Sequence, residues 1–282
     1  MSVDLHAHST ASDGSDPPSR LIELAVAHRL SALALTDHDT LEGIAEARTA
    51  AEGTDLELIP GTELSLQYEG GGMHLVVLWL EPGPGPLQER LAGLQEGRGD
   101  RNLRICERLT ELGMPVEIAE VEEEAGGGSV GRPHIAQVMV RKGFVPDIKT
   151  AFDLWLGSGQ PAYVGRPRLN PEDAIALARQ SGAVPVLAHP HTLGITRAEE
   201  MSRLLQRLRG AGLVGLEALY SGYLRHEREG YAHLARRFGL VPSGGSDYHG
   251  TYKPGLALGQ GYGDLVVPDS VLEELRGHAG GP

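Results

Sequence analysis

Length, composition and charge already narrow the function of this chain. It has 282 residues, of which 25 are Lys or Arg and 38 are Asp or Glu, giving a formal net charge of −13. A negative surplus of this size argues against a broad basic surface for long nucleic acid. The single cysteine, Cys106, excludes an internal disulfide and every CxxC metal site. No apolar run is long enough to span a membrane and the first residues do not resemble a signal peptide, so we expect a cytoplasmic protein.

Short apolar runs alternate with helical patterns in the first part of the chain. Strands are predicted at residues 2–5, 31–35, 56–59 and 74–80, and helices at 17–29 and 41–51. Pro60-Gly61 is expected to end the third strand, and Thr40 or Asp39 is expected to cap the second helix.

A breaker-rich stretch at residues 81–86 separates this part from a long helical region. Helical patterns are predicted at 87–112, 116–128, 133–142 and 146–156. Since no strand pattern interrupts them, we predict a helical insertion over residues 83–160. It would separate two parts of one α/β unit, residues 1–82 and 161–282.

The alternation of strands and helices resumes after this insertion. Strands are predicted at 184–188, 213–218 and 240–242, and helices at 172–180, 198–210 and 224–238. This rhythm predicts an α/β fold with mostly parallel strands and helices on the outside. Functional sites in such folds collect at the carboxyl ends of the strands.

Residues that can bind a metal follow most of these predicted strands. His6 and His8 lie on one side of a strand end, because alternate side chains of a strand point the same way. The other candidates are Asp13, His38, Glu63, His74, His189, Asp247 and His249. Neutral imidazoles with a few carboxylates suit zinc, manganese or iron rather than calcium.

Each of these residues also has a purely structural interpretation. A single histidine at a strand end is more often a hydrogen-bonded structural residue, but many strand ends with ligand types are hard to obtain by chance. Asp39 is interpreted as a cap, and Asp37 as a residue that orients a neighbouring histidine. The other histidines of the helical patterns and the tail are interpreted as surface or packing residues, namely His28, His226, His233 and His278.

Taken in order, these motifs resemble the PHP family, the polymerase and histidinol phosphatase metallophosphoesterases. The resemblance is carried by Asp4-Leu5-His6-Ala7-His8-Ser9, Ser12-Asp13-Gly14, Thr36-Asp37-His38-Asp39, Pro60-Gly61-Thr62-Glu63, Ala188-His189-Pro190 and Gly245-Ser246-Asp247-Tyr248-His249. It spans nearly the whole chain outside the insertion. It implies a distorted (β/α)7 barrel, with the helical insertion as a substrate lid.

The resemblance also implies a trinuclear metal centre. The first ion would be held by His6, His8, Glu63 and Asp247, the second by Glu63, His74 and His189, and the third by Asp13, His38 and His249. The implied cofactors are three divalent ions, with manganese first and iron or zinc as alternatives. Three divalent cations outweigh three carboxylates, so such a centre stays positive within an acidic protein.

The segment Val130-Gly131-Arg132-Pro133-His134-Ile135-Ala136 resembles the branch of the family that acts on nucleoside 3′,5′-bisphosphates and short RNA ends. That resemblance implies that Arg132 and His134 reach a substrate phosphate. Arginine presents a planar fork to phosphate, and His134 stands at a predicted helix start. The alternative is a surface arginine and a helix-capping histidine. Further candidates are Arg166 and Arg168 for a second phosphate and His191 for protonation of a leaving group.

These features together predict a metal-dependent phosphoesterase. The expected reaction removes the 3′-phosphate of a bisphosphate such as pAp, and trims short 5′-phosphorylated RNA, through attack by a metal-bridging hydroxide. A small nucleotide or short RNA is the expected partner, with no long duplex and no membrane. Cys106 lies away from every motif, so no catalytic thiol is expected. The alternatives are a histidinol phosphate phosphatase and a non-catalytic metal-binding module, and the oligomeric state is left open.

Overall fold

Eight strands form a single sheet in the computed structural model of the chain, which describes residues 2–126, 130–165 and 167–280. The strands are β1 (Ser2–Ala7), β2 (Leu30–Leu35), β3 (Glu57–Leu66), β4 (Met73–Leu78), β5 (Val184–Leu187), β6 (Gly215–Tyr220), β7 (Val241–Gly245) and β8 (Val267–Pro268). Their order in the sheet is β7-β6-β5-β4-β3-β2-β1-β8.

The sheet curves until β7 meets β1, and this contact nearly closes a barrel. The backbone N–H of Asp247 donates to the carbonyl of His6 at 2.8 Å, and the N–H of His8 donates to that of Tyr248 at 2.9 Å. Glycine is required where the strands approach, because a Cβ on Gly245 would lie 2.5 Å from the His6 backbone nitrogen. The predicted α/β barrel class is confirmed.

Among the seven strands that were predicted, one runs against the parallel arrangement. β1, β2 and β3 are parallel, and so are β5, β6 and β7. β4 is antiparallel to both of its neighbours, β3 and β5. The start of β4 therefore lies beside the carboxyl ends of the other strands, where His74 pairs with Ser65 of β3.

The third strand is longer than predicted, because Pro60-Gly61 does not end it. β3 continues to Leu66. The carbonyl of Pro60 accepts a hydrogen bond from the N–H of Leu80 at 3.0 Å. A Cβ at Gly61 would lie 2.7 Å from the carbonyl oxygen of Val77, so glycine lets β4 approach here.

Helices cover the outside of the barrel or form the segment between β4 and β5. They are α1 (Pro18–Ala27), α2 (Ile44–Ala51), α3 (Pro86–Glu111), α4 (Ile118–Glu124), α5 (Arg132–Arg141), α6 (Ile148–Ala151), α7 (Pro171–Gln180), α8 (Ala198–Gly210), α9 (Arg225–Arg237) and α10 (Asp269–Arg276). The predicted cap of α2 is wrong, since this helix begins three residues later than expected with Gly43 at the N-cap.

The helices between β4 and β5 have a hydrophobic cluster of their own. Ile105 and Leu109 of α3 pack there with Ile135 and Met139 of α5. The first half of α3 packs elsewhere, because Leu87, Leu91 and Leu94 belong to the cluster that α7 and α8 form against the barrel. The predicted helix over 146–156 divides into α6 and a π-helical turn at Phe152–Leu156.

The last part of the chain contains two elements that the sequence did not predict. β8 pairs antiparallel with β1 and protects its edge, and α10 packs Val271, Leu272 and Leu275 into the core of the barrel. Within the described ranges, no helix combines the length and the apolar character that a membrane crossing requires.

Candidate metal centre

The nine predicted metal ligands converge at the end of the barrel where the parallel strands finish. His6 and His8 come from the end of β1, and His189, Asp247 and His249 come from the loops after β5 and β7. Two positions differ from the prediction. Glu63 lies inside β3 rather than after it, and His74 is the second residue of β4.

Two buried carboxylates outside the ligand set, Asp4 and Asp37, stabilise the loops at this end of the barrel. Asp4 accepts the backbone N–H groups of His6 at 3.2 Å, Ser246 at 2.8 Å and Gly259 at 2.7 Å, and so ties β1 to the loop after β7. These bonds satisfy a carboxylate that burial would otherwise destabilise.

Asp37 has a different role from the one predicted. It accepts hydrogen bonds from the N–H and hydroxyl of Ser9, at 2.8 and 2.7 Å, and from the hydroxyl of Ser12 at 2.7 Å. It therefore shapes the turn that carries Asp13 instead of orienting a histidine. Asp39 accepts the N–H of Ser65 at 3.3 Å and does not cap α2.

Glu63 stands at the centre of the cluster, and its two oxygens face different histidines. Oε1 lies 3.0 Å from Nδ1 of His74 and 2.9 Å from Nε2 of His189. Oε2 lies 3.4 Å from Nε2 of His6, 3.3 Å from Nε2 of His8 and 3.2 Å from Nδ1 of His38. One carboxylate thus reaches two neighbouring groups of imidazoles.

Asp13 faces the remaining histidines. Its oxygens lie 3.6 Å from Nε2 of His38 and 3.4 Å from Nε2 of His249. Oδ1 also lies 3.6 Å from Nδ1 of His8.

Asp247 faces the cluster with one oxygen only. Its Oδ1 lies 3.5 Å from Nε2 of His8 and 3.3 Å from Nδ1 of His249. Its Oδ2 points away and accepts the hydroxyl of Tyr220 at 2.9 Å and the ammonium of Lys253.

The chemistry of this donor set fits divalent metal ions. Four groups of residues bring their ligand atoms within 4.8 Å of one another, namely His8-Asp13-His38-His249, His6-His8-Asp247, His6-Glu63-His189 and His38-Glu63-His74. Nδ1 of His8 is buried and has no hydrogen-bond partner in the part of the chain that the structure describes. Closely packed imidazole nitrogens and carboxylates are stabilised by a cation between them.

The electrostatics of the cluster keep its carboxylates ionised and divide its histidines. Against burial, Glu217 and Glu63 raise the pKa of His6, and Glu63 raises the pKa of His189, so these two imidazoles must lose a proton to bind metal. Burial opposes the charge on Glu63, but the nearby imidazoles of His38 and His74 hold the pKa of this carboxyl well below its usual range. The pKa values of Asp13 and Asp247 are lowered in the same way, against burial, by neighbouring histidines and, for Asp247, by Lys253. Burial lowers the pKa of His38 to about 3, which leaves its imidazole neutral.

Sequence reasoning missed the residues that form hydrogen bonds to the candidate ligands on the side away from the cluster. Glu217 and Tyr220 lie on β6, and Lys253 follows the loop after β7. Glu217 accepts a hydrogen bond from Nδ1 of His6 at 2.9 Å. An acidic residue inside the apolar run Gly215-Leu216-Glu217-Ala218-Leu219 was a visible signal, because buried carboxylates require partners.

A cavity of about 220 Å³ opens between the cluster and the helices of the insertion. It is lined by Asp13, His38, Ser65, His74, Arg101, Gly131, Arg132, Pro133, Phe152 and Arg168. Two predicted arginines therefore face candidate metal ligands across one cavity. Arg101 of α3 joins them, and it was missed because nothing distinguishes it within a highly charged helix.

Arg132 is held in place by the insertion. Its guanidinium donates to the carbonyl of Leu156 at 3.0 Å and lies 5.5 Å from the ring centre of Phe152. Arg101 is placed by Asn102, whose amide donates to the carbonyl of Val130 at 2.8 Å, while an Arg101 nitrogen donates to its side-chain oxygen at 3.1 Å.

The other predicted substrate residues have different surroundings. Nδ1 of His134 accepts the N–H of Gly131 at 3.0 Å, so this histidine caps α5, as the alternative interpretation predicted. His191 is exposed and lies 3.1 Å from the hydroxyl of Tyr223, and it is not part of the cavity lining. Arg166 lies outside the described residues.

The residues predicted to be structural do lie away from the cluster. His226, His233 and His278 are exposed, and His28 is within 2.8 Å of the carbonyl of Leu258. Cys106 is buried in the core of the insertion, and burial raises its pKa to about 11, which keeps the thiol unreactive.

Comparisons with known proteins agree with this geometry. The family model of the PHP domain matches residues 4–88. The chain is 32% identical over 267 residues to the 3′,5′-nucleoside bisphosphate phosphatase of Chromobacterium violaceum, covering 91% of this chain and 90% of that protein. It is 36% identical over 248 residues to the 5′-3′ exoribonuclease Rnm of Escherichia coli, with coverages of 87% and 84%.

A solved structure extends the likeness to the fold. A protein of Bifidobacterium adolescentis that is designated a metal-dependent phosphoesterase matches with a TM-score of 0.85 and 29% identity, over 98% of this chain and 96% of that one. The barrel, the cluster at its end and these relatives define a metal-dependent phosphoesterase, a hydrolase of phosphoester bonds. The chain belongs to the PHP family.

Proposed function

We propose that this enzyme removes the 3′-phosphate of nucleoside 3′,5′-bisphosphates such as pAp. The observation that carries the proposal is the shared cavity, in which Arg101, Arg132 and Arg168 stand opposite the candidate ligands Asp13, His38 and His74. A substrate with two phosphates could place one phosphate at the arginines and the other at the candidate metal ligands. The bisphosphate phosphatase of Chromobacterium violaceum is among its relatives.

The proposed metal centre holds three divalent ions, with manganese first and iron or zinc as alternatives. His6, His8, Glu63 and Asp247 would hold the first, Glu63, His74 and His189 the second, and Asp13, His38 and His249 the third. The two oxygens of Glu63 support a bridging role, because Oε1 faces His74 and His189 while Oε2 faces His6 and His8. When bound, such ions polarise phosphoryl oxygens and activate water.

The residues of the chain position the substrate for this chemistry. The three arginines bind the phosphate that is not hydrolysed, since planar guanidinium groups match phosphate oxygens in charge and geometry. Arg132 approaches the cavity already fixed by Leu156 and Phe152, which lowers the entropy that binding must remove. The helical segment 83–160 acts as a lid over the barrel of residues 1–82 and 161–282.

Short 5′-phosphorylated RNA is a second candidate substrate. The likeness to the exoribonuclease Rnm of Escherichia coli supports this candidate, because the matched region covers 87% of this chain. The same cavity would accept the terminal 5′-phosphate at the arginines and the first phosphodiester at the metals.

Two other functions fit the site less well. Histidinol phosphate carries an amino group that a cluster of arginines would repel. A non-catalytic module has no need of a full set of ligands, yet all nine candidate residues are present and brought together.

The test is phosphate release by manganese-loaded protein from pAp, histidinol phosphate and a short 5′-phosphorylated RNA, measured side by side. Preferred turnover of pAp, with AMP as the product, is the expected result. Preference for histidinol phosphate would contradict the role of the arginines. Absence of turnover with metal bound would support the non-catalytic module.

A further inference from the structure

β6 has an unusual place among the strands that build the candidate metal centre. It lies between β5 and β7, both of which are followed by candidate ligands, His189 and Asp247. β6 contributes no residue to the four ligand groups found among the described residues. Its carboxylate Glu217 is nevertheless 2% exposed and points into this end of the barrel.

The two oxygens of Glu217 each accept a hydrogen bond from a different candidate ligand. Oε1 lies 2.9 Å from Nδ1 of His6, and Oε2 accepts the backbone N–H of His189 at 2.6 Å. These partners come from distant parts of the chain, the end of β1 and the turn after β5. One buried carboxylate therefore holds two candidate ligands, which lie in the same ligand group with Glu63.

The contact with His6 determines which nitrogen of the ring faces the centre. When Nδ1 carries the proton and donates to Glu217, the lone pair of Nε2 is available on the opposite side. Nε2 of His6 lies 3.4 Å from Oε2 of Glu63 and 3.0 Å from Nε2 of His8, inside the cluster. Glu217 thus fixes the tautomer that can bind a metal.

The contact with His189 supports a strained backbone. His189 has φ 22° and ψ 68°, a left-handed conformation that is unfavourable for a residue with a side chain. The hydrogen bond from its N–H to Glu217 offsets part of this cost. In this conformation Nε2 of His189 reaches Oε1 of Glu63 at 2.9 Å.

We propose that Glu217 is a positioning residue that holds two candidate metal ligands at once, by orienting the imidazole of His6 and the backbone of His189. The proposal rests on the metal centre described under the proposed function. Partners of metal-binding histidines typically change metal affinity or activity by about 10–100-fold when they are removed.

Glu217→Gln tests the proposal, because an amide keeps the shape of the side chain but has one accepting oxygen instead of two. We expect the variant to stay folded without metal and to bind Mn²⁺ at least about tenfold more weakly than the wild type. The d–d absorption of the Co²⁺-substituted protein should also change. An unchanged Mn²⁺ isotherm and an unchanged Co²⁺ spectrum would overturn the proposal.

Ser243→Ala is the matched control. Ser243 of β7 is paired in register with Glu217 and is 3% exposed, so its replacement also alters a buried polar side chain in this layer of the barrel. Its Mn²⁺ isotherm should equal that of the wild type. An equal loss of affinity in both variants would show a general packing effect and overturn the proposal.

If Glu217→Gln does not fold, Glu217→Asp decides, because its carboxylate is one methylene too short to reach both partners. Wild-type affinity in that variant would overturn the proposal. Failure of the proposed function has a different signature. Wild-type protein that binds Mn²⁺ without hydrolysing pAp would disprove that function, while the comparison of Mn²⁺ isotherms would still test Glu217.

Discussion

Asp13 joins the metal cluster to the cavity, since it faces His38 and His249 and also lines the space beside Arg132. Asp13→Asn replaces a charged ligand by a neutral one. We expect turnover to fall by at least about 100-fold, with loss of bound metal and without unfolding. The measurements are kcat, metal content and circular dichroism.

Asp16→Asn is a matched control for this prediction. Asp16 lies three residues away and accepts the hydroxyl of Tyr248 at 2.6 Å, outside the four ligand groups. It should keep its metal and most of its turnover. Equal losses in the two variants would contradict a ligand role for Asp13.

His38 should make the stability of the metal-free protein depend on pH. Burial lowers its pKa from 6.5 to about 3, so between these values the unfolded chain holds a proton that the folded chain lacks. The free energy of unfolding should therefore decrease as the pH falls from 6.5, by up to about 1.4 kcal/mol per pH unit for this group.

Urea unfolding in the presence of a chelator at pH 7, 6 and 5 measures this dependence. His38→Gln cannot titrate at this position and should show a weaker decrease than the wild type. Groups distant from His38 are common to both proteins and cancel, so the comparison isolates His38 together with the carboxylates that it contacts, Glu63 and Asp13. Identical slopes would show that His38 does not contribute.

The candidate metal ligands could be predicted from the sequence, whereas the residues that hold them in place could not. His6, His8 and Asp247 belong to short motifs at strand ends. Glu217 lies 211 positions from His6 along the chain, and a hydrogen bond over that distance depends on how the barrel closes. The motif marks Asp37, but its three hydrogen-bond donors, which come from Ser9 and Ser12, depend on the folded turn.

At the scale of the element, α5 presents Arg132 to the cavity from its first turn. Arg132→Ala should raise KM for pAp by about tenfold or more, because a charged hydrogen bond to phosphate is worth about 1.5–3 kcal/mol. The effect on p-nitrophenyl phosphate, which lacks a second phosphate, should be much smaller. Steady-state kinetics with both substrates measure the difference.

Arg141→Ala is the control at the other end of the same helix. Arg141 is paired with Glu124 on the surface, and surface pairs of this kind contribute little to stability. Kinetics close to those of the wild type are expected for it. An equal effect of Arg132→Ala on both substrates would contradict its role in binding the second phosphate.

Local sequence patterns predicted most helices and strands, but they did not predict the direction in which each strand runs in the sheet. Alternating apolar runs predicted seven of the strands, because the side-chain period of a strand is visible in the sequence. The reversal of β4 depends on its pairing with β3 and β5, which are set by contacts distant along the chain. β8 has two residues and left no pattern to detect.

At the scale of the whole molecule, the barrel brings six histidines and three carboxylates to one end, and metal should stabilise this arrangement. An ion present at 100 times its Kd adds about 2.7 kcal/mol if it binds only the folded state. For a chain of this size that corresponds to a rise in Tm of about 5 °C.

Thermal unfolding with a chelator and with excess Mn²⁺ measures this rise in Tm. Phosphate release by the same samples should be lost when the chelator is added and restored by Mn²⁺. Asp13→Asn should show a smaller rise. Equal Tm values with and without metal would contradict a metal centre in the folded protein.

Because β4 is reversed, the length of α3 sets the position of Arg101 in the cavity. Because β4 ends away from the candidate metal ligands, α3 starts at the far end of the barrel, where the N–H of Leu87 donates to the hydroxyl of Ser181 at 3.2 Å. The helix has 26 residues and a length of about 39 Å, and Arg101 stands about 22 Å from its start. Deletion of one residue between the start of α3 and Arg101 would rotate this arginine about the helix axis by about 100° and shift it by about 1.5 Å toward the start of the helix. The phase of a helix that is anchored at the far end of the barrel thus determines which side chain lines the cavity.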